Sequence, residues 1–330
     1  MVAVIFVGQE RFSLWLHSHA TDRPLPSETP QEIGPAGRGS KTEATNSMKH
    51  ANEALKHANE ALNQASASVD TWAPPIRAVS WSTGVAQYEA SRRFLGRAFA
   101  GTAKVDGEPT LAWILSRKDF AHVGEDKNSE HVKIVTFMVS FAVRDAVRHG
   151  AVQFSTVMED GTVAAQAVAY EYDPERMRPT VFSRFMRKSR ETVDFFVIAK
   201  SDGLPSAMKS GDKEHRNRAR EVQRKATAVF DRMPDMHAQY GPKEKHWYFF
   251  LIGTSPEAQG LGYGSELMRK LAELADAHKM VSYLECSSVK NRDFYQKFGF
   301  QVVQTLTVHD PSDHDAEPLT WYLMVRDFKS

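Results

Sequence analysis

The sequence predicts an α/β (α+β) domain in which a mixed central sheet is flanked by helices. Three observations carry that prediction. Residues 247–252 are an aromatic and aliphatic run suited to a buried strand, and an amphipathic helix follows after a glycine-rich turn. A hairpin pattern centres on Glu159-Asp160-Gly161, with β-branched and aromatic residues after it. Between the hairpin and the central strand, residues 173–245 change to helical periodicity and read as an insertion.

The chain has 330 residues, 42% hydrophobic and 25% charged, which is ample for one large core. A formal net charge of +1 gives no basic excess for nucleic acid. The single cysteine, Cys286, excludes an intramolecular disulfide and fits a reducing compartment, so a cytoplasmic or nuclear location is expected. It lies in an apolar strand pattern and reads as core packing.

Residues 1–73 read as a disordered, low-complexity extension to a domain over residues 74–330. Residues 2–7 are apolar but too few for a signal peptide or a membrane span. Residues 18–47 are rich in Pro, Ser, Thr and Gly. A duplicated heptad, Lys-His-Ala-Asn-Glu-Ala-Leu at 49–55 and 56–62, offers a short helix but too few repeats for a stable coiled coil. Met48, just before it, is an alternative start.

The domain begins with a strand over 76–80. Tyr88, Ser91, Leu95, Ala98 and Phe99 then give helical spacing, with Arg92, Arg93 and Arg97 expected toward solvent. Val135, Val139, Ala142, Val143 and Ala146 mark a helix over 132–149, and the hairpin strands span 153–158 and 162–172. Within the insertion, Phe182, Phe185, Met186, Val193, Phe196 and Val197 fit one helix face. A very charged helix over 212–233 carries the sparse stripe Ala219, Val222, Ala226, Val229 and Phe230. Two strands, 300–309 and 319–325, close the chain. The loop between them groups His309, Asp310, Asp313, His314 and Asp315, which reads as a polar turn, and no metal is expected.

The central stretch carries the chemistry. A connector over 254–259 leads from the strand into Gly260-Leu261-Gly262-Tyr263-Gly264. From Ser265, Leu267, Met268, Leu271, Leu274 and Ala275 form an apolar stripe, with Glu266, Arg269, Lys270, Glu273 and Asp276 opposite. The first amides of a helix lack partners and sit at the positive end of its dipole. Glycines ahead of them let a diphosphate approach. A dinucleotide fold also places glycines at such a turn, and Glu285 stands where a ribose could bind. Against it, the glycines begin well after the strand, Ser265 replaces a third glycine, and no series of βαβ units follows.

Gln259-Gly260-Leu261-Gly262-Tyr263-Gly264 fits the pyrophosphate motif Gln/Arg-x-x-Gly-x-Gly/Ala, and Asn291, Tyr295, Gly299 and Phe300 follow in order. These residues resemble the GNAT superfamily of acetyl-CoA-dependent N-acetyltransferases. Residues 246–264, with Tyr-Leu-Glu at 283–285, look most like its puromycin N-acetyltransferase-like branch. The resemblance implies a GNAT fold and acetyl-CoA as donor. It also implies the primary amine of a small molecule as acceptor, with no nucleic acid or membrane partner. By the same resemblance, backbone groups of Ile252, Gly253 and Thr254 hold the pantetheine. Gln259, Gly260, Leu261, Gly262, Tyr263, Gly264 and Ser265 form the phosphate turn, and Asn291 orients the cofactor arm. The insertion roofs the acceptor pocket by analogy with that branch. A protein lysine or N-terminal acetyltransferase, or a non-catalytic acyl-CoA-binding protein, are the alternatives.

Acetyl transfer needs a base for the amine and an acid for the departing thiolate. By resemblance Tyr295 is the acid, with no acyl-enzyme. Many relatives carry a base Glu about fourteen residues before the motif's middle glycine, where this chain has Tyr248. Glu285 at the end of the next strand, and His246 on the strand face of Tyr248, are the candidate bases.

Overall fold

The computed structural model describes residues 76–80, 85–102, 105, 107–115, 130–177, 179–202, 213–310, 313 and 316–329. The expected extension over residues 1–73, and His314 and Asp315 of the acidic loop, lie outside them.

The chain opens with β1 (Ile76–Ser80), α1 (Val85–Ala100), α2 (Pro109–Leu115) and α3 (Glu130–Arg148). The hairpin follows as β2 (Val152–Val157) and β3 (Val163–Tyr172). After one helical turn at Pro174–Met177 come three helices, α4 (Val181–Asp202), α5 (Lys213–Phe230) and α6 (Met233–Tyr240). The second half contains β4 (His246–Thr254), α7 (Tyr263–Ala277), β5 (Ser282–Cys286), α8 (Val289–Gln296), β6 (Gln301–Val308) and β7 (Leu319–Arg326). The strands form one seven-stranded sheet in the order β1-β2-β3-β4-β5-β7-β6. Only the β4–β5 pair is parallel, so the sheet is mixed as expected.

Alternation along the strands loads both faces. On one face, Tyr170, Tyr248 and Tyr283 join Leu95 of α1 and Val135, Val139 and Val143 of α3 in a single cluster. On the other, Trp247, Phe249 and Leu284 meet Leu267, Met268, Leu271 and Ala275 of α7, the stripe expected from spacing. Cys286 lies in this second cluster, its Sγ 3.8 Å from Met324 Sδ. Among the described residues no helix is long and apolar enough to cross a membrane.

Two expectations are corrected. Arg92 does not face solvent: its side chain is buried, pairs with Glu89 and reaches Ser140 Oγ at 3.5 Å, a polar link between α1 and α3. The buried face of α4 is also rotated from the expected one. Phe195, Ile198, Glu191 and Asp194 point inward, while Val193, Phe196 and Val197 are exposed, Val193 by 60%. Charge sets this register. Asp194 accepts hydrogen bonds from Arg144 (2.8 Å) and Arg148 (2.5 Å) of α3, and Phe195 packs edge-on to Phe137. The side chains of Phe182, Phe185 and Met186 fall outside the described ones.

Helix α5 is held by another ion pair. Lys225 Nζ lies 2.9 Å from Asp310 Oδ2, with both side chains buried, and 5.2 Å from the ring centroid of Trp113 on α2. The acidic loop residue Asp310 is therefore a docking point for the insertion. No group of three or more His, Cys, Asp or Glu side chains that could hold a metal occurs among the described residues.

Candidate active site

The site is built where two parallel strands separate. β4 and β5 are paired at Trp247–Ser282 and Tyr248–Tyr283, and nowhere beyond. β4 continues to Thr254, bonded on its other side to β3 through Ala167–Ile252, Gln166–Gly253 and Ala165–Thr254. Among the described residues, one backbone edge of Ile252, Gly253 and Thr254 is thus left without a strand partner along the gap. A bulge reinforces the opening: Phe249 and Leu251 face consecutive residues of β3, so Phe250 is the extra residue and the strand bends there.

The gap leads to the glycine turn. A 3-10 turn at Pro256–Ala258 is capped by Ser255, whose Oγ accepts from the Ala258 amide. It is also held to α1, where Arg97 pairs with Glu257. Gln259 Nε2 reaches back to the Thr254 carbonyl at 3.5 Å. Gly260 and Gly262 then adopt φ of +79° and +91°, backbone that a side chain strains. Among the described residues, a Cβ on either would meet nothing within 4 Å beyond its chain neighbours, so the turn is open there. Gly262 caps α7, leaving the first amides of that helix, from Tyr263, Gly264 and Ser265, aimed at this opening. Leu261 is exposed between the two glycines. This cradle fits a diphosphate, and the free edge of β4 fits an extended, amide-containing chain.

At the narrow end of the gap lies Glu285. The Tyr248 hydroxyl donates to its Oε2 at 2.6 Å, while buried Oε1 makes no hydrogen bond. The Tyr283 hydroxyl approaches the same carboxyl without the geometry of a made hydrogen bond. Burial pushes the Glu285 carboxyl up to about 7, against the opposing effect of the Tyr248 bond. Its proton affinity is therefore close to that of a physiological base.

Tyr295, in α8, packs against Phe294 and Phe300 on the other side of β5. Burial raises its phenol above the ordinary range, with the Cys286 thiol and Glu108 adding to the effect. Burial likewise pushes the Cys286 thiol up to about 12, which keeps it neutral and unreactive. Asn291 lies half-buried in the first turn of α8, capped by Ser288 Oγ at 3.0 Å.

His246 is placed differently from its expected role. It is wholly buried, with Nδ1 2.7 Å from the Glu244 carbonyl and Nε2 2.8 Å from His237 Nε2. Both ring nitrogens are occupied, which leaves none for an acceptor amine. Residues to which no role is assigned from sequence include His237, Glu108 and, though part of the Tyr-Leu-Glu at 283–285, Tyr283. Glu108 caps α2 by accepting from the Leu111 amide at 2.8 Å and accepts from the Ser287 hydroxyl just past β5. Strand parity offered one signal, since i, i+2 spacing puts Tyr283 on the face of Glu285.

Part of the chain is similar to known proteins. Residues 226–300 match the Acetyltransferase (GNAT) family. An uncharacterised N-acetyltransferase of Schizosaccharomyces pombe is 32% identical over 81 residues, 24% of this chain and 31% of that protein. The chain thus spans about a third of the length of that curated relative. A solved structure of histone acetyltransferase HPA2 and related acetyltransferase from Corynebacterium glutamicum shares 16% identity, covering 78% of this chain and 98% of that one at a TM-score of 0.44. Arylalkylamine N-acetyltransferase 2 from Aedes aegypti shares 13%, covering 77% and 99% at 0.41. The family match lies over the glycine turn, the helix after it and β5. Over residues 226–300 the chain is therefore similar to the GNAT acetyltransferases.

Proposed function

We propose that this protein transfers the acetyl group of acetyl-CoA directly to the primary amine of a small molecule. The observation that carries the reading is the placement of Glu285, buried and bonded to Tyr248, at the point where β4 and β5 part. When bound, acetyl-CoA supplies an activated acetyl group as a thioester. The cradle at Gly260–Gly264 would hold its diphosphate, the edge of Ile252, Gly253 and Thr254 its pantetheine, and Asn291 would orient that arm.

Glu285 is the base. A carboxyl whose affinity for protons lies near pH 7 is substantially ionised at neutral pH, yet basic enough to take a proton from an ammonium acceptor. Tyr295 is the acid, since a phenol held protonated by burial has a hydrogen to give to a departing sulfur. The neutral Cys286 thiol argues against an acyl-enzyme. The Tyr248 departure, which from sequence favours a non-catalytic acyl-CoA-binding protein, has a chemical counterpart here. The carboxylate stands one strand over, and the phenol bonds to it.

The insertion over residues 173–245 is a substrate-specificity element in this reading, anchored by Lys225–Asp310 and Asp194–Arg144. A roofed site suits a small acceptor, as does the likeness of residues 246–264 to the puromycin N-acetyltransferase-like branch. The test is release of free CoA thiol from acetyl-CoA across a panel of small amines and lysine peptides. Turnover with small amines that falls in both Glu285→Gln and Tyr295→Phe supports the reading. Turnover with peptides alone assigns the protein class instead, and unchanged turnover in both variants removes the proposed base and acid.

A further inference from the structure

The last helix of the insertion does more than cover the sheet. His237, on α6, is 3% exposed and touches one tyrosine from each of three adjacent strands. Its ring stacks on Tyr172 of β3 at 3.9 Å between centroids and 16° between planes. It meets Tyr248 of β4 edge-on at 4.5 Å and lies 4.3 Å from Tyr283 of β5. Two of these three rings are the walls of the Glu285 site.

The ring is also fixed in direction. The Glu244 carbonyl can only accept, so Nδ1 of His246 carries the hydrogen, and Nε2 of a neutral His246 is an acceptor. His237 Nε2–H must then donate across the 2.8 Å contact. Burial lowers the proton affinity of both rings, and for His237 the neighbouring His246 and Lys243 add to it, so the pair stays neutral as this bond requires. A ring held by a directional bond on one side and three tyrosines on others has little rotational freedom. The phenols it presses against inherit that constraint.

We infer that His237 is a positioning residue for the reaction centre, holding Tyr248 and Tyr283 in the arrangement that encloses the Glu285 carboxyl. The insertion then completes the base site in addition to roofing it. The inference rests on the reading of Glu285 as base, but it concerns the state of that carboxyl and can be read without turnover. The titratable groups facing Glu285 are Tyr248, Tyr283, Tyr170, Tyr172 and Cys286, all raised by burial. Those facing His237 are His246, Lys243 and the three tyrosines.

The test is difference infrared titration of the carboxyl band in the full chain, with Glu285→Gln identifying the band. The wild-type midpoint is expected near 7. His237→Phe keeps a ring against the tyrosines and should leave the midpoint within half a pH unit. His237→Ala opens the wall to water and should lower it by at least one unit. His237→Gln, which keeps a donor toward His246 without the ring, should do the same and serves if the alanine variant does not fold. Acetyl-CoA affinity, measured on the same samples, should stay within threefold of wild type, since the glycine cradle lies elsewhere. A midpoint unmoved in the folded alanine or glutamine variant overturns the inference. Failure of the acetyltransferase reading would show separately, as absence of turnover with the infrared shift intact.

Discussion

Tyr248 donates its phenolic hydrogen to Glu285 Oε2 across 2.6 Å, joining β4 to β5 at the last point where the two strands are paired. The bond favours the ionised carboxyl, while burial opposes it, and burial wins. This balance makes the first prediction specific. Tyr248→Phe removes the one made hydrogen bond to the carboxyl and should raise its midpoint above 7. The acidic limb of kcat/KM should then move to higher pH, because the base works only when ionised. A limb that stays in place would mean that the titrating group is another residue.

Glu285→Gln should lower kcat by roughly 10²–10⁴-fold, the range for loss of a general base. The affinity for acetyl-CoA, measured by calorimetry, should be unchanged. A loss of cofactor affinity with kcat preserved would contradict the assignment.

Stability should respond to pH in the opposite sense from catalysis at this residue. A carboxyl raised from 4.5 to about 7 holds its proton more tightly in the folded state, so its contribution is present below 4.5 and lost as pH rises through 7. The lowered histidines, His237 and His246, contribute above 6.5 and lose that contribution as pH falls. Between 4.5 and 6.5 the two effects oppose each other. Removing the carboxyl in Glu285→Gln should therefore steepen the rise of stability with pH by about 1.4 kcal/mol per pH unit, one proton's worth. Urea unfolding at pH 5 and pH 6 measures it, and equal slopes in the two proteins would refute it.

Gly262→Val forces a branched side chain onto a φ of +91° at the cap of α7 and into the open face of the turn. We expect a stability loss of about 1–2 kcal/mol from the backbone alone. Acetyl-CoA affinity should fall at least tenfold. A variant that is destabilised but binds acetyl-CoA normally would show that the turn is only structural.

Asp310→Ala removes the carboxylate 2.9 Å from the buried Lys225 ammonium, which also lies over the Trp113 face and 3.6 Å from the Glu221 carboxylate. Breaking a buried pair at one end costs about 3–5 kcal/mol. The double variant Asp310→Ala with Lys225→Met should recover part of that, a comparison readable by thermal unfolding.

The sequence makes the frame of this site legible because its signals are local. The strand before the glycines, the stripe Leu267–Met268–Leu271–Ala275 and the hairpin around Gly161 all follow from spacing within a few residues. Relations between distant segments are not legible in the same way. Arg92 reads as one more arginine on a polar face until Glu89 and Ser140 surround it. The face of α4 is chosen by Arg144 and Arg148, some fifty residues away, and charge there outweighs the exposed Phe196. His246 reads as a strand-edge candidate for proton transfer, yet the insertion brings His237 against it and consumes its free nitrogen. Tyr248 reads as a missing carboxylate, and only the pairing with β5 reveals that Glu285 stands beside it.

The most direct test of the central claim is thermal unfolding of the full chain with acetyl-CoA, CoA or NAD added. A ligand at ~100 times its dissociation constant stabilises a protein by about 2.7 kcal/mol, enough to move the midpoint visibly. The account predicts a rise with acetyl-CoA and with CoA, no rise with NAD, and a rise with acetyl-CoA and CoA that is at least halved in Gly262→Val. A rise with NAD alone, or no rise with acetyl-CoA or CoA, would contradict it.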